Sequence, residues 1–150
     1  MSSSPPALPG AVILDTNVVS ELMRASPDSH VESWVRAVPP AMVYTTAVTV
    51  AEVRFGIARL PPGRRRARLS DAADEVFSAF ADHVLSFDAA AASEYADLVV
   101  EREQAGAPIG GFDAQIAAIC RVRRATLATG NAGDFGGLGL NLVDPWATDA

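Results

Sequence analysis

Val12-Ile13-Leu14-Asp15-Thr16-Asn17 reads as a buried strand running into a polar turn. Three large apolar residues in a row, with no polar alternation, are the pattern of a parallel strand covered on both faces. The helical-looking Val18-Val19-Ser20-Glu21-Leu22-Met23 follows at once. Asp15 therefore stands at the carboxyl end of a strand, where open α/β sheets place their ligand sites. A carboxylate there is costly to desolvate unless a cation or a set of donors meets it. From these residues alone two readings stay open: Asp15 caps the helix that follows, or it holds a metal ion.

Beyond this stretch, the first helix extends to about Arg24, and a second runs from Ser26-Pro27-Asp28 to Val38, where Pro39-Pro40 stops it. Met42 to Thr45 is a second strand, and Thr46 is an N-cap for a helix from Ala47 to about Leu60. Pro61-Pro62-Gly63 breaks that helix, and a long one follows from Arg64 to Asp82. His83 to Phe87 is a third strand. Asp88 then caps an alanine-rich helix to Gln104, closed by Ala105-Gly106. A further helix spans Phe112 to Arg124, a fourth strand Ala125 to Thr129, a glycine-rich loop Gly130 to Gly139, and an edge strand Leu140 to Val143. Strands alternating with helical crossovers predict an α/β fold with a parallel, doubly wound sheet.

The 150 residues suit one domain, and 49% apolar residues are ample for its core. The expected organisation is a flexible N-terminal tail over 1–10, a single domain over 11–147 and a short C-terminal tail over 148–150. No apolar run reaches the roughly 18 to 20 residues of a membrane span. The Pro/Ser-rich start lacks the basic region of a signal peptide, and the single Cys120 excludes an internal disulfide, so a cytoplasmic location is expected. Net charge is −6, which argues against a protein that coats nucleic acid. It leaves room for a nuclease that meets phosphate through a metal ion. The basic residues are all Arg, concentrated at Arg64-Arg65-Arg66 and Arg68. This patch is either a solvated helix face or a contact for phosphate or a partner.

Four acidic residues fall at element ends or on an inward-facing helix. Besides Asp15, they are Glu52 among Val50, Ala51 and Val53, Asp113 in the first turn of its helix, and Asp134 in the glycine-rich loop. Singly, each has an ordinary role: a snorkelling boundary residue, a complement to a helix dipole, a turn former. Together they gather at one edge of a parallel sheet, where they would repel one another and raise each other's pKa. A hard divalent cation relieves that repulsion, and all-oxygen ligation suits Mg²⁺ or Mn²⁺. Carboxylate-held Mg²⁺ is the apparatus of phosphodiester hydrolysis. His30 and His83 read as structural.

The segments Ile13 to Glu21, Thr45 to Gly56, Pro108 to Ala118 and Leu127 to Phe135 resemble, in order, the successive motifs of PIN-domain ribonucleases. The chain is similar to the VapC toxins of bacterial toxin–antitoxin pairs, in particular their FitB-like branch, whose ending Asn141-Leu142-Val143-Asp144-Pro145-Trp146 also resembles. The likeness runs from Val12 to Trp146. It implies a three-layer α/β/α sandwich around a mostly parallel sheet of four to five strands. It implies that Asp15, Glu52 and Asp113 form an acidic triad for Mg²⁺ or Mn²⁺, that Asp134 is a fourth acidic position, and that Asn17, Thr46 and Thr129 line or brace the site. One departure stands out: Gly130 follows Thr129 where the family pattern has Arg.

The implied activity is metal-dependent hydrolysis of RNA by an activated water, leaving 5′-phosphate ends. The implied partners are a VapB- or FitA-like antitoxin, a second copy of the chain, and DNA only through the antitoxin. The first helix and the Trp34 region offer a groove for such a partner. Two other readings compete. A haloacid-dehalogenase-like phosphatase also begins with strand and Asp, but needs a second Asp where Asn17 stands. A PIN domain of weak activity, serving mainly as the binding half of a DNA-bound regulatory complex, is the alternative that Gly130 keeps open.

Overall fold

The computed structural model describes residues 5–148. Five strands, β1 (Val12–Leu14), β2 (Val43–Thr46), β3 (Val84–Leu85), β4 (Thr126–Ala128) and β5 (Asn141–Val143), lie in the order β3-β2-β1-β4-β5. Every pairing is parallel, including the edge strand β5 on β4. Six α-helices connect them: α1 (Thr16–Leu22), α2 (Ser29–Ala37), α3 (Ala47–Ala58), α4 (Arg64–Phe80), α5 (Ala89–Gln104) and α6 (Gly111–Arg123).

Side-chain alternation divides the molecule into three layers. Ile13, Tyr44, Leu85, Leu127 and Leu142 face one core, packed with residues of α5 and α6. Their neighbours Leu14, Val43, Val84, Ala128 and Val143 face the other, packed with α1, α2 and α4 and with Val53 and Ile57 of α3. Both faces are covered, which is why the strands are apolar without alternation. Cys120 is fully buried in the first core.

The strand order places a topological switch between β1 and β4. From β1 the chain winds outward through β2 to β3, then returns to the far side of β1 to form β4 and β5. The carboxyl ends of β1 and β4 therefore flank the crevice where such sheets bind ligands. Asp15 and Thr129 are the residues that follow those two ends.

Local chemistry sets several boundaries inside the expected ones. Asp28 caps α2 by accepting from His30 N–H (2.9 Å) and Val31 N–H (3.3 Å), so the helix starts at Ser29. The third strand, expected over 83–87, shortens to two residues. His83 lies outside it, its ring Nδ1 2.8 Å from the Val43 carbonyl and stacked on Tyr44. The glycine-rich loop contains a 3₁₀ turn at Ala132–Phe135. Of the expected tails, residues 1–4 and 149–150 lie outside the described residues. The second half of the N-terminal segment is fastened to the domain: Leu8 N–H donates to the Arg123 carbonyl (2.8 Å), and Arg123 Nη1 donates to the Pro6 carbonyl (3.2 Å).

Candidate functional site

Asp15 is the centre of the site. It extends from the end of β1 and is only 3% exposed. Its backbone N–H still belongs to the sheet, donating to the Ala128 carbonyl at 2.9 Å. Its Oδ1 accepts from Thr16 N–H at 2.8 Å, so the carboxylate does cap α1. Its Oδ2 accepts from Thr129 Oγ1 at 2.8 Å and from Asn17 Nδ2 at 3.3 Å. Burial pushes the Asp15 carboxyl above the ordinary range, more than the Thr129 and Thr16 bonds pull it down, and the Glu52 charge adds to the rise.

Asn17 and Thr129 form a brace across the switch point. Asn17 Nδ2 also donates to Thr129 Oγ1 (3.3 Å), and its Oδ1 accepts from Gly130 N–H (3.0 Å). Thr129 Oγ1 in turn accepts from Asn131 N–H (3.0 Å). The loop after β4 is thus tied to the first turn of α1.

Glu52 comes from the second turn of α3. Thr16 Oγ1 donates to its Oε1 at 2.8 Å and lies 3.1 Å from Thr49 Oγ1. Among the described residues Thr46 hydrogen-bonds no acidic side chain. It is fully buried, caps α3 by accepting from Thr49 N–H at 3.1 Å, and donates to Thr49 Oγ1 at 3.4 Å. It therefore braces the site through a relay of hydroxyls, Thr46 to Thr49 to Thr16, that ends on Glu52.

Asp113 sits in the first turn of α6, half-buried. Burial raises its pKa, and the charges of Asp15 and Asp134 raise it further. Asp134 is carried by the 3₁₀ turn after β4 and is exposed. Asp15 thus feels the charge of Glu52, and Asp113 feels those of Asp15 and Asp134. Among the described residues, however, no three acidic, His or Cys side chains converge as a ready-made metal cage. The donor set is all oxygen, which suits a hard cation that keeps several of its own waters and needs few protein ligands. Neither histidine contributes: His30 pairs with Asp28 on α2, and His83 is bound to β2.

Three residues of this site are not signalled as such by the sequence. Thr16 and Thr49 reach across 33 positions, and Thr16 to Glu52 across 36. Only the cap spacing of Thr46 and Thr49 hints at them. Arg102, at the end of α5, clamps the acidic loop: Nε donates to the Ala107 carbonyl (2.6 Å), and Nη1 to the carbonyls of Asp134 (2.9 Å) and Gly136 (3.0 Å). Nothing local in the sequence marks it.

Gly130 has a steric reason. A Cβ built there would lie 2.8 Å from Trp146 Cζ3, so the indole occupies the space a side chain at 130 would enter. Trp146 thereby fills the space beside Gly130, where the family pattern has an arginine. The carboxylates are untouched by the exchange.

The PIN domain family matches residues 12–135. The VapC ribonuclease Y4jK of Sinorhizobium fredii is 40% identical over 136 residues, spanning 90% of this chain and 97% of that protein. The toxin FitB of Neisseria gonorrhoeae is 33% identical over 136 residues, 90% of this chain and 98% of its own. Among solved structures, FitAB bound to an IR36 DNA fragment superposes with a TM-score of 0.84 at 32% identity, covering 93% of this chain and 98% of that one. A buried aspartate at the switch point, with Glu52 and Asp113 in reach of its charge, and these likenesses lead to one assignment: the chain belongs to the PIN domain family, in its VapC and FitB group.

Proposed function

We propose that this chain is the toxin of a VapBC-type pair, an endoribonuclease that depends on Mg²⁺ or Mn²⁺. The observation that carries the reading is the arrangement around Asp15. A carboxylate buried at the end of the central strand is held by donors from Thr16, Asn17 and Thr129, with Glu52 and Asp113 in electrostatic reach of it and Asp134 in reach of Asp113. Asp15 and Asp113 are assigned as the principal ligands, with Glu52 and Asp134 direct or through water. A divalent cation bound there lowers the pKa of water and stabilises charge on phosphoryl oxygens.

The chain's own residues have separable tasks. Thr129 and Asn17 fix the direction of Oδ2 of Asp15. Thr16 holds Oε1 of Glu52, which orients the second carboxylate toward the same crevice. Glu52 or Asp134 takes the proton of the attacking water. The new bond is from water oxygen to phosphorus. The bond that breaks is from phosphorus to the 3′-oxygen, which leaves with a proton, so the products carry 5′-phosphates.

The relatives support the partners. One is named a ribonuclease, another a toxin, and the FitAB complex is a DNA-bound assembly. We assign to this chain a FitA- or VapB-like antitoxin, contact with DNA through that antitoxin, and a homodimer. Exposed Phe55, Val100 and Phe112 supply uncovered apolar surface for association. No helix among the described residues is long and apolar enough to cross a membrane.

The test is cleavage of end-labelled RNA by antitoxin-free protein. Cleavage with Mg²⁺ or Mn²⁺, lost in EDTA and lost by at least about a hundredfold in Asp15→Asn and Asp113→Asn variants that keep their fold, is expected. Cleavage by Asp15→Asn, or cleavage that persists in EDTA, would overturn the reading.

A further inference from the structure

Beside Glu52 a groove of about 760 Å³ runs between α1, α3 and α4. Thr16 and Glu52 line its acidic end, and Arg65 and Arg68 of α4 line its basic end. Glu52 and Gly56 stand on successive turns of α3, with Leu60 just past its end, a path of about 12 Å along the helix axis. The floor is apolar, from Val53, Ile57 and Leu69.

Three observations make this groove more than a gap between helices. Arg65 and Arg68 lie three residues apart on one face of α4. Both are exposed, and among the described residues neither forms an ion pair, unlike Arg54 or Arg121. The cluster Arg64-Arg65-Arg66 also occupies the first turn of α4, with no acidic residue beside it. The helix macrodipole disfavours cations at that end, so the placement works against the fold. Finally, Gly56 weakens α3 relative to alanine, yet a Cβ there would meet nothing within 4 Å. Packing does not require this glycine. A bare helix backbone in a groove allows close approach of a ligand.

We propose that this groove receives single-stranded RNA on one side of the scissile bond, with flanking phosphates paired to the guanidiniums of Arg65 and Arg68. The inference rests on the ribonuclease reading above and adds the surface that holds the substrate. In a chain of net charge −6, most of the surface repels a polyanion. This groove joins unpaired arginines to Glu52, whose charge reaches Asp15. Arginine matches phosphate in geometry as well as charge.

The test uses a fluorescein-labelled single-stranded oligouridylate, binding to the full chain in Mg²⁺ on an Asp15→Asn background that prevents cleavage. Arg65→Ala/Arg68→Ala is compared with Arg36→Ala/Arg123→Ala, which removes the same charge away from the groove. The groove variant is expected to bind about tenfold more weakly, with the slope of log affinity on log salt reduced by about 1.4, or about 0.7 for each phosphate that no longer meets an arginine. The charge-matched control should keep the parent's slope. Gly56→Ala should raise the melting temperature and still weaken RNA binding. Equal affinity and slope in the two double variants would overturn the inference and return the groove to a protein partner. With wild-type cleavage intact, that result leaves the nuclease reading standing. A parent that binds no RNA overturns the inference alone when the wild type cleaves RNA, and both readings when it does not.

Discussion

At the scale of the residue, Asp15 shows how a buried carboxylate can work against stability. Its burial outweighs its hydrogen bonds, so the folded chain holds the Asp15 proton more tightly than an unfolded chain whose carboxyl titrates near 3.8. As pH rises from that value through the raised folded pKa, the native state retains a proton that the unfolded state releases. Stability contributed by this group therefore falls with rising pH, and at neutral pH the ionised carboxylate is a net cost. Asp15→Asn should accordingly stabilise the metal-free protein at pH 7 by about 0.5–2 kcal/mol. The gain should vanish in melting experiments below about pH 4, where both states are protonated. A variant less stable than wild type at pH 7 would show that the Thr129 and Thr16 bonds outweigh desolvation. Much of this residue's setting is legible in the sequence, because a strand that ends in Asp-Thr-Asn has few ways to place its polar groups. What Thr16 does with Glu52 is not legible, since its partner lies on another helix.

At the scale of the element, the loop after β4 is fixed from three directions. Asn17 holds Gly130, Arg102 holds the carbonyls of Asp134 and Gly136, and Trp146 covers Gly130. The sequence marks Gly130 only as a departure from a pattern. Its reason is a ring 16 positions away, close only because β5 pairs with β4. Gly130→Ala forces that ring or the loop to shift and should cost about 1–3 kcal/mol. The shift should appear in the emission of Trp146, read in a Trp34→Phe background. Unchanged stability and emission would mean that the indole has room to give. Elements with strong local signals are legible to the residue: Thr46 and Asp88 cap α3 and α5, which end close to their expected stops. The strand β3 is shorter than its sequence predicts, because its edge position leaves pairing on one side only and His83 turns its ring to the β2 backbone instead.

At the scale of the whole molecule, the order β3-β2-β1-β4-β5 brings residues over a hundred positions apart into contact at the switch point. Alternating helices and strands make the parallel sheet legible, and the right-handed crossover leaves few orders to choose from. The placement of Asp15 and Asp113 at one edge of the sheet is legible, while the hydroxyl relay from Thr46 to Glu52 is not. The site depends on two cores meeting on β1 and β4. Leu127 is fully buried in β4, two residues before Thr129. Leu127→Ala should lower stability by about 2–5 kcal/mol in denaturant unfolding. A loss well below 1 kcal/mol would mean that the core beneath the site collapses to fill the space.

The proposed nuclease activity and the proposed role of each carboxylate both rest on a divalent cation entering the crevice around Asp15. Isothermal titration of Mn²⁺ into the antitoxin-free, metal-stripped chain measures that step alone. Saturable binding in the wild type that disappears in folded Asp15→Asn is the predicted result. Binding of equal strength in that variant, or none in a folded wild-type sample, would contradict it.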